Sequence, residues 1–192
     1  EHVKVVLSGD GADELFGGYN RHRALLLSQQ GGLKTKMLSA LGGLSPRKVG
    51  SRENRLADLA RRARRFSEIN AVPHKERYSL ISSFSNPADV EALFGTRHTI
   101  DLPSIHGDYL SNVLMMDQAF ILPGDMLVKV DRMSMAHGLE VRVPFLDYRV
   151  VQLANQMSSQ QKLSTLQGKL PLRKAFAKYI PEETIKRPKH GF

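Results

Sequence analysis

The sequence contains no cysteine, so disulfides, thiolate metal sites and a cysteine nucleophile are all excluded within its 192 residues. No apolar run approaches the roughly 20 residues that a helix needs to cross a bilayer. The first residues also lack the charged and apolar layout of a signal peptide. We therefore expect a cytoplasmic protein without a membrane partner.

The charge balance is strongly basic, with 28 Lys and Arg against 19 Asp and Glu and a net charge of +9. Such a balance favours anionic partners, which include nucleic acid, anionic lipid and phosphorylated small molecules. The densest basic cluster lies in a helix predicted over 52–68, and we interpret it as a solvated helix face. Its arginines are Arg61, Arg62, Arg64 and Arg65, and the apolar residues at core spacing are Leu56, Leu59, Ala60, Ala63 and Phe66.

The chain opens without Met and contains one clear β-strand, Val3–Leu7. A lone strand does not make a stable sheet and leaves both of its edges unpaired. We therefore expect residues 1–192 to be a single partial domain of a larger protein that also holds the strand's partners.

Nearly all of the remaining sequence shows helical apolar periodicity, so the fragment is predicted to be predominantly α-helical with one N-terminal strand. Residues 140–145 are predicted to be extended, and Pro144 argues against a central strand there. Asp147 is predicted to cap the helix that follows it. Helices are predicted over 13–30, 33–41, 52–68, 73–82, 87–94, 106–121, 123–137, 147–157, 169–179 and 182–187.

The segment after the strand, Ser8–Glu14, carries the clearest chemical signal, and we call it the acidic loop. Gly9 and Gly11 allow a ligand to approach the backbone closely, and the N–H groups of the following helix start favour an anion. The three carboxylates of the loop would repel a phosphate unless a cation lies between them. Mg²⁺ uses one or two carboxylates together with phosphate oxygens, so the loop predicts a metal-phosphate site.

Two well-known glycine motifs do not fit the acidic loop, because it lacks both the Gly-Lys-Ser/Thr of a P-loop and the third glycine of a dinucleotide fingerprint. The simpler alternative is a capped helix start, with Ser8 or Asp10 as the cap. Carboxylates in that first turn would gain about 0.3–1 kcal/mol each from the helix dipole. The pattern alone leaves both readings open, although two Gly and two Asp in seven residues exceed what capping requires.

Three segments of the chain resemble the synthetase domain of glutamine-dependent asparagine synthetases, which are class-B amidotransferases of the N-type ATP pyrophosphatase superfamily. The segments are Ser8-Gly-Asp-Gly-Ala-Asp-Glu-Leu-Phe-Gly-Gly-Tyr19, the run from Leu127 to Asp147, and Arg187-Pro-Lys-His-Gly-Phe192. The resemblance implies an α/β parent fold of the adenine-nucleotide α-hydrolase, Rossmann-like type. It also implies that this chain is the C-terminal portion of the synthetase domain.

The activity implied by the resemblance is ATP-dependent activation of the aspartate side chain. β-Aspartyl-AMP and pyrophosphate form first, and ammonia derived from glutamine then displaces AMP to give asparagine. The family's glutaminase domain and its Ser-Gly-Gly-x-Asp-Ser pyrophosphate loop are absent from these residues, so the fragment alone is expected to be inactive. ATP and Mg²⁺ are the implied cofactors, and a homodimer is one expected assembly.

The resemblance also implies roles for individual residues. Lys189 matches the cation that stabilises the transferring phosphates, and Asp13 matches the carboxylate that binds metal and pyrophosphate. Asp10 matches the proposed general base, at a position where the family often has Glu. Ser8 and Gly9 match nucleotide-contacting backbone positions, and Gly11 belongs to the same ATP and pyrophosphate site.

The segment Leu127–Asp147 permits two interpretations of its helix. Lys129 and Arg132 share one face with Asp125 and are candidates for phosphate contacts, although Asp125 and Lys129 also have the spacing of an ordinary i,i+4 ion pair. The opposite stripe, which is Met126, Val130, Met133 and His137, is expected to pack in a core. Glu140 and Arg142 are expected to form a buried pair.

Two other functional classes compete with this interpretation. A related amidotransferase or a β-lactam-forming synthetase would activate a different carboxylate by the same chemistry. A basic helical nucleic-acid-binding module would explain the arginine cluster, but it leaves the acidic loop unexplained because carboxylates repel a phosphate backbone. We therefore expect no nucleic-acid partner.

Overall fold

The computed structural model describes residues 3–44, 55–83, 85, 87–96 and 108–187. The chain divides into two compact units. The first unit comprises Glu1–Arg23 together with His106–Phe192, and the second comprises Ala24–Ile105. The assignment of the whole chain to one partial domain stays a prediction.

The first unit contains two strands, β1 (Val5–Leu7) and β2 (Glu140–Arg142), that pair in parallel. Ser8 N donates to Arg142 O at 2.9 Å, which extends the ladder past Leu7. The prediction of a single strand was therefore wrong, because β1 has a partner inside the chain. Pro144 does not prevent the pairing, since it lies in the 3₁₀ turn after β2, where its missing N–H removes no ladder bond.

The rest of the described chain is mostly helical, as predicted. In chain order the α-helices are α1 (Ala12–Phe16), α2 (Asn20–Gln30), α3 (Gly32–Gly43), α4 (Arg55–Ala71), α5 (His74–Ser82), α6 (Pro87–Phe94), α7 (Tyr109–Met116), α8 (Leu127–Met135), α9 (Tyr148–Gln156), α10 (Ser159–Lys162), α11 (Leu170–Phe176) and α12 (Glu182–Lys186). Within the described residues, no helix combines the length and the apolar character that a membrane span requires.

The helix predicted over 13–30 is broken into α1 and α2. Gly17 adopts a left-handed conformation with φ of 68°, and its N–H bonds back to Asp13 O, which closes α1 after five residues. Because helices this short are not stable alone, the orientation of α1 depends on the contacts that its side chains make.

A π-helical segment, Asp117–Met126, lies between α7 and α8 and contains Pro123. The sequence predicted α-helices on both sides of Leu122 but no change of helix type. Proline lacks an N–H, so the regular α-helical bonding cannot continue through it, and π segments of this kind are frequent at functional sites.

The core of the first unit forms around Leu15, Phe16 and Ala154. The partly buried residues that pack on them are Phe145, Leu146, Val150, Val151, Met157 and Leu172. Asp147 caps α9, since its carboxylate accepts the Arg149 N–H at 2.9 Å, and this confirms the predicted cap. The core therefore holds α1 directly against the segment that follows β2.

In the second unit α3 and α4 pack together, and a side chain at Gly42 would collide with the Ala63 carbonyl. This close approach turns Ala57, Phe66 and Ile69 inward, while Leu56 is 76% and Leu59 is 64% exposed. The prediction that both leucines belong to the core was wrong. The helix periodicity identified an apolar stripe, but the contact with α3 decides which edge of that stripe is buried.

The arginines of α4 are held by neighbours in the second unit. Asp58 pairs with Arg62 at 2.6 Å and with Arg61 at 3.5 Å, and Glu68 pairs with Arg64 at 3.0 Å. Arg65 donates to the Leu80 carbonyl at 2.9 Å. These intrahelical pairs offset part of the positive charge of the cluster.

Candidate active site

The acidic loop lies where the two parallel strands end. Because Leu7 pairs with Arg142, the loop and the segment after β2 leave the sheet at the same edge. Gly11 has φ of 85°, and any side chain there would collide with Leu146. Gly9, by contrast, has no atom within 4 Å of the point that a Cβ would occupy, so the backbone there is open to a ligand.

Asp10 folds back onto the start of the loop. The Ser8 hydroxyl donates a short hydrogen bond to the Asp10 carboxylate, and Asp10 N donates to Ser8 Oγ at 3.4 Å. The predicted nucleotide-binding Ser8 and the predicted base Asp10 are therefore in direct contact. This contact orients one oxygen of the Asp10 carboxylate. The roles of Ser8 and Asp10 stay predictions.

Asp13 forms an ion pair with Lys169, with 3.2 Å between Oδ2 and Nζ. Both side chains are partly accessible, at 22% for Asp13 and 29% for Lys169. Gly18 makes the arrangement sterically feasible, because a Cβ at this position would collide with Asp13 Oδ1 and with Lys169 Cε. The glycine thus leaves the space that the ion pair occupies.

Lys169 is the functional candidate that the sequence reasoning missed. It is the only described non-glycine residue with positive φ, at 56°, and its N–H donates to the Phe16 carbonyl at 3.0 Å. A lysine in this conformation is strained by about 1–3 kcal/mol, so the surrounding contacts must hold it there. The sequence around Lys169 gave little indication of this role. Only Pro171, at the start of α11, indicates a fixed turn nearby.

Glu14 turns into the protein, unlike Asp13. Its side chain is 2% exposed, and Tyr19 Oη donates to its Oε1 at 2.5 Å. Burial, and then the hydrogen bond to Glu14, raise the pKa of Tyr19 far above its ordinary value, so the hydroxyl keeps its proton. The carboxylates of the acidic loop are therefore not equivalent, because one of them is a core residue.

A buried polar cluster lies beside Tyr19. Asp117, with 0% exposure, accepts from Arg21 Nη2 at 2.8 Å, and its Oδ2 lies 2.7 Å from His22 Nε2. Burial acts to raise the pKa of Asp117, but the hydrogen bonds from His22 and Arg21 and the positive charge of Arg21 outweigh it, and the net shift is downward. Burial lowers the pKa of His22, so its ring is neutral and Nε2 carries the proton donated to Asp117.

A magnesium ion would have to use few protein ligands at this site. Among the described residues, no three His, Asp or Glu side chains cluster as a ready-made metal site. Asp13 offers one partly exposed carboxylate beside the open backbone of Gly9, and this fits a cation whose other ligands are phosphate oxygens and water. The residues present therefore fit Mg²⁺ brought in with a phosphorylated substrate.

The other predicted phosphate-binding residues lie outside the acidic loop in the sequence. Lys129 and Arg132 are exposed on α8, and in the part of the chain that the structure describes neither side chain has a hydrogen bond or ion pair to the loop. Lys189 lies outside the described residues. The phosphate contacts of all three stay predictions.

Two structural expectations for Leu127–Asp147 were wrong. No described residue of α8 is buried, Met133 is 62% exposed and His137 is exposed, so the stripe forms no core with the residues that the structure describes. Glu140 and Arg142 do form a pair at 2.8 Å, but the side chains are 58% and 65% exposed. Alternate residues of a strand share a face, which brings the pair together, but no described element covers that face.

Comparison with known proteins identifies the family of the chain. The family model for asparagine synthase matches residues 1–192. A Mycobacterium tuberculosis protein provisionally named asparagine synthetase (glutamine-hydrolysing) is 35% identical over 201 aligned residues, which cover 100% of this chain and 30% of the relative. Asparagine synthetase (glutamine-hydrolysing) 1 of Bacillus subtilis is 32% identical over 207 residues, covering 100% of the chain and 31% of the relative.

A third relative is the human asparagine synthetase domain-containing protein 1, which is 39% identical over 87 residues, covering 41% of this chain and 14% of that protein. The chain thus spans about 30% of the length of the two bacterial relatives. No solved structure matches the chain. The match of the family model along the full sequence decides the classification: the chain belongs to the asparagine synthase family.

Proposed function

We propose that the intact protein amidates aspartate to asparagine, with ATP as the energy source and glutamine as the source of ammonia. The aspartate side-chain carboxylate attacks the α-phosphate of ATP, pyrophosphate leaves, and ammonia displaces AMP from β-aspartyl-AMP. Family membership and the names of the bacterial relatives support this reaction. The Asp13–Lys169 ion pair is the single structural observation that carries it.

In this proposal Asp13 and Lys169 prepare the acidic loop for pyrophosphate. Asp13 would hold Mg²⁺, which when bound neutralises charge on the phosphate oxygens. Lys169 places a second positive charge, on Nζ, 3.2 Å from the same carboxylate. There the ammonium group can stay close to the oxygens of the pyrophosphate as it leaves. Groups positioned where charge develops stabilise the transition state more than the ground state. Lys189 is proposed as a further cation that stabilises the negative charge on the leaving pyrophosphate.

The residues that open the acidic loop serve the nucleotide and the second half-reaction. Gly9 and Gly11 let the backbone approach the phosphates, since Gly9 is unobstructed and Gly11 supplies the left-handed turn. Asp10 is proposed to take the proton that ammonia loses as it attacks the acyl carbon, and its contact with Ser8 sets the direction of the carboxylate. Lys129 and Arg132 are proposed to make outer contacts with the phosphates. The enzyme is proposed to be cytoplasmic.

The test is aspartate-dependent pyrophosphate release by the intact protein. Asp13→Asn, Lys169→Met and Lys189→Ala are each expected to lower the rate by about 10²–10³-fold, the range seen when one preorganised charge-stabilising group is removed. Asp58→Asn, which breaks a partly exposed ion pair in the second unit, and Lys178→Met, which removes an exposed charge, serve as matched controls. Replacing aspartate by other carboxylic acids in the same assay tests the acceptor.

Stability measurements separate chemistry from folding in these variants. A partly exposed ion pair contributes about 0.2–1 kcal/mol, so Asp13→Asn and Lys169→Met are expected to unfold near the wild-type midpoint. Wild-type rates of pyrophosphate release in all three active-site variants would refute the assignment. Release that depends on a carboxylate other than aspartate would replace the substrate and retain the adenylation chemistry.

A further inference from the structure

Two neighbouring carboxylates of α1 have opposite environments. Successive residues of a helix point about 100° apart, so Asp13 turns toward Gly18 and Lys169 while Glu14 turns into the protein. The 2% exposure of Glu14 and its 2.5 Å bond from Tyr19 leave it a poor candidate for a ligand of phosphate or metal. Its position instead suits an anchor for the helix that carries Asp13.

Tyr19 is itself held on two sides. The Arg21 guanidinium lies 4.4 Å from the centre of the Tyr19 ring, and the His22 ring meets the same ring edge-on at 5.3 Å between centroids. Arg21 and His22 both bind Asp117, the first residue of the π-helical segment. Contacts therefore run without interruption from Glu14 in α1, through Tyr19 and the start of α2, to Asp117.

We propose that Glu14 and Tyr19 are positioning residues, which hold α1 against the Asp117 cluster and so fix the placement of Asp13 for the magnesium-dependent step. This inference rests on the proposed function and extends it to residues that do not touch substrate. Because α1 has only five residues, its placement depends on side-chain contacts of this kind. Without the Tyr19 hydroxyl, the buried Glu14 carboxylate would lack this donor and would be driven toward solvent.

The decisive comparison is between Glu14→Gln and Glu14→Ala in the intact protein. Glutamine keeps an oxygen that can accept the Tyr19 hydrogen bond, whereas alanine removes the acceptor. We expect E14Q to retain pyrophosphate release within about threefold of wild type, while E14A and Tyr19→Phe lose about tenfold or more, since small displacements of catalytic groups are costly. Leu153→Ala, at an exposed position on α9, controls for simple loss of side-chain volume.

The magnesium dependence of the reaction provides a readout that a purely structural role would not change. Misplacement of Asp13 is expected to raise the half-saturating Mg²⁺ concentration about three- to tenfold in Y19F and E14A, the scale of one ordinary hydrogen bond. In E14Q the half-saturating concentration is expected to remain near wild type. Far-ultraviolet circular dichroism establishes that each variant is folded at the assay temperature.

The outcomes distinguish the positioning role from its competitors. If E14Q loses as much activity as E14A, the charge of Glu14 is required and the positioning role is overturned in favour of a direct one. If folded Y19F shows a wild-type rate and wild-type Mg²⁺ dependence, the anchor is also overturned. If the wild-type protein releases no pyrophosphate with any carboxylate, the proposed function fails first and this inference falls with it.

Discussion

Alanine at Gly18 is expected to damage the site while leaving the fold nearly intact. The added Cβ would lie 2.7 Å from Asp13 Cγ and would also collide with Lys169 Cε. Both atoms belong to side chains that can swing away, and the interaction they would lose is a partly exposed ion pair worth about 0.2–1 kcal/mol. The free energy of unfolding should therefore fall by no more than about 1 kcal/mol.

Alanine substitutions at two other glycines of the first unit provide comparisons for Gly18→Ala. A Cβ at Gly168 would meet the backbone of Gly17 and Gly18, with 3.2 Å to Gly18 Cα, and backbone cannot swing away. Gly168→Ala is therefore expected to cost about 1–3 kcal/mol, the range for overpacking. Gly124 has no atom within 4 Å of the added Cβ, so Gly124→Ala should be neutral or stabilising by up to about 1 kcal/mol through helix propensity.

The assays are urea unfolding and aspartate-dependent pyrophosphate release, each with the intact protein. A loss of 1 kcal/mol moves the urea midpoint by about 0.3–1 M for a typical dependence on denaturant. Gly18→Ala should lower the rate by up to about 10²-fold, because a displacement of about 1 Å at the reacting groups has that effect. An unaltered rate in Gly18→Ala, or a midpoint loss equal to that of Gly168→Ala, would refute the steric argument.

The remaining predictions concern buried and capping carboxylates. Asp117→Asn should lower the free energy of unfolding by about 1.5–3 kcal/mol, because the partly exposed Arg21 loses its charged partner, and denaturant unfolding measures this loss. Because the pKa of His22 is lowered in the folded protein, the unfolded chain binds a proton at this residue more readily. The free energy of unfolding should therefore be fully retained above about pH 6.5 and should fall by up to about 1.4 kcal/mol per pH unit below it. Unfolding curves between pH 7 and pH 5 test this slope, and His22→Gln should remove that contribution to it. Asp108→Ala should cost about 0.5–2 kcal/mol, since the carboxylate caps α7 by accepting from Leu110 N at 3.0 Å, and thermal unfolding against Asp125→Ala provides the comparison.

Local rules predicted the parts of this fold that depend on neighbouring residues. The strand before the acidic loop, the end of α2 at Gln30 before Gly31 with φ of 62°, and the Asp147 cap all follow from short-range sterics and hydrogen bonding. The break at Gly17 was also readable, since a Gly-Gly pair inside a helical pattern is a common stop. The apolar residues on both sides of that pair continue the helical periodicity, and for this reason one helix was predicted over 13–30.

Long-range contacts explain most of what the sequence did not predict. Lys169 reaches Asp13 from a distant part of the chain, and nothing in its own neighbourhood marks it as a partner for a carboxylate. The pairing of β2 with β1 and the burial of Glu14 depend on tertiary packing in the same way. The acidic loop was found from its composition, but the division of labour among its carboxylates required the three-dimensional arrangement.

The parallel pairing of β1 and β2 has a consequence for synthesis on the ribosome. Val5 pairs with Glu140, so roughly 135 residues separate the two halves of the ladder. At about 5–20 residues per second, β1 waits roughly 7–27 s for its partner to be made. During that interval the edge of β1 that β2 later covers is unpaired, and an apolar strand with an open edge is prone to aggregation and to chaperone binding. Slow translation between β1 and β2 is therefore expected to lower the yield of folded protein without changing a single contact in the final structure.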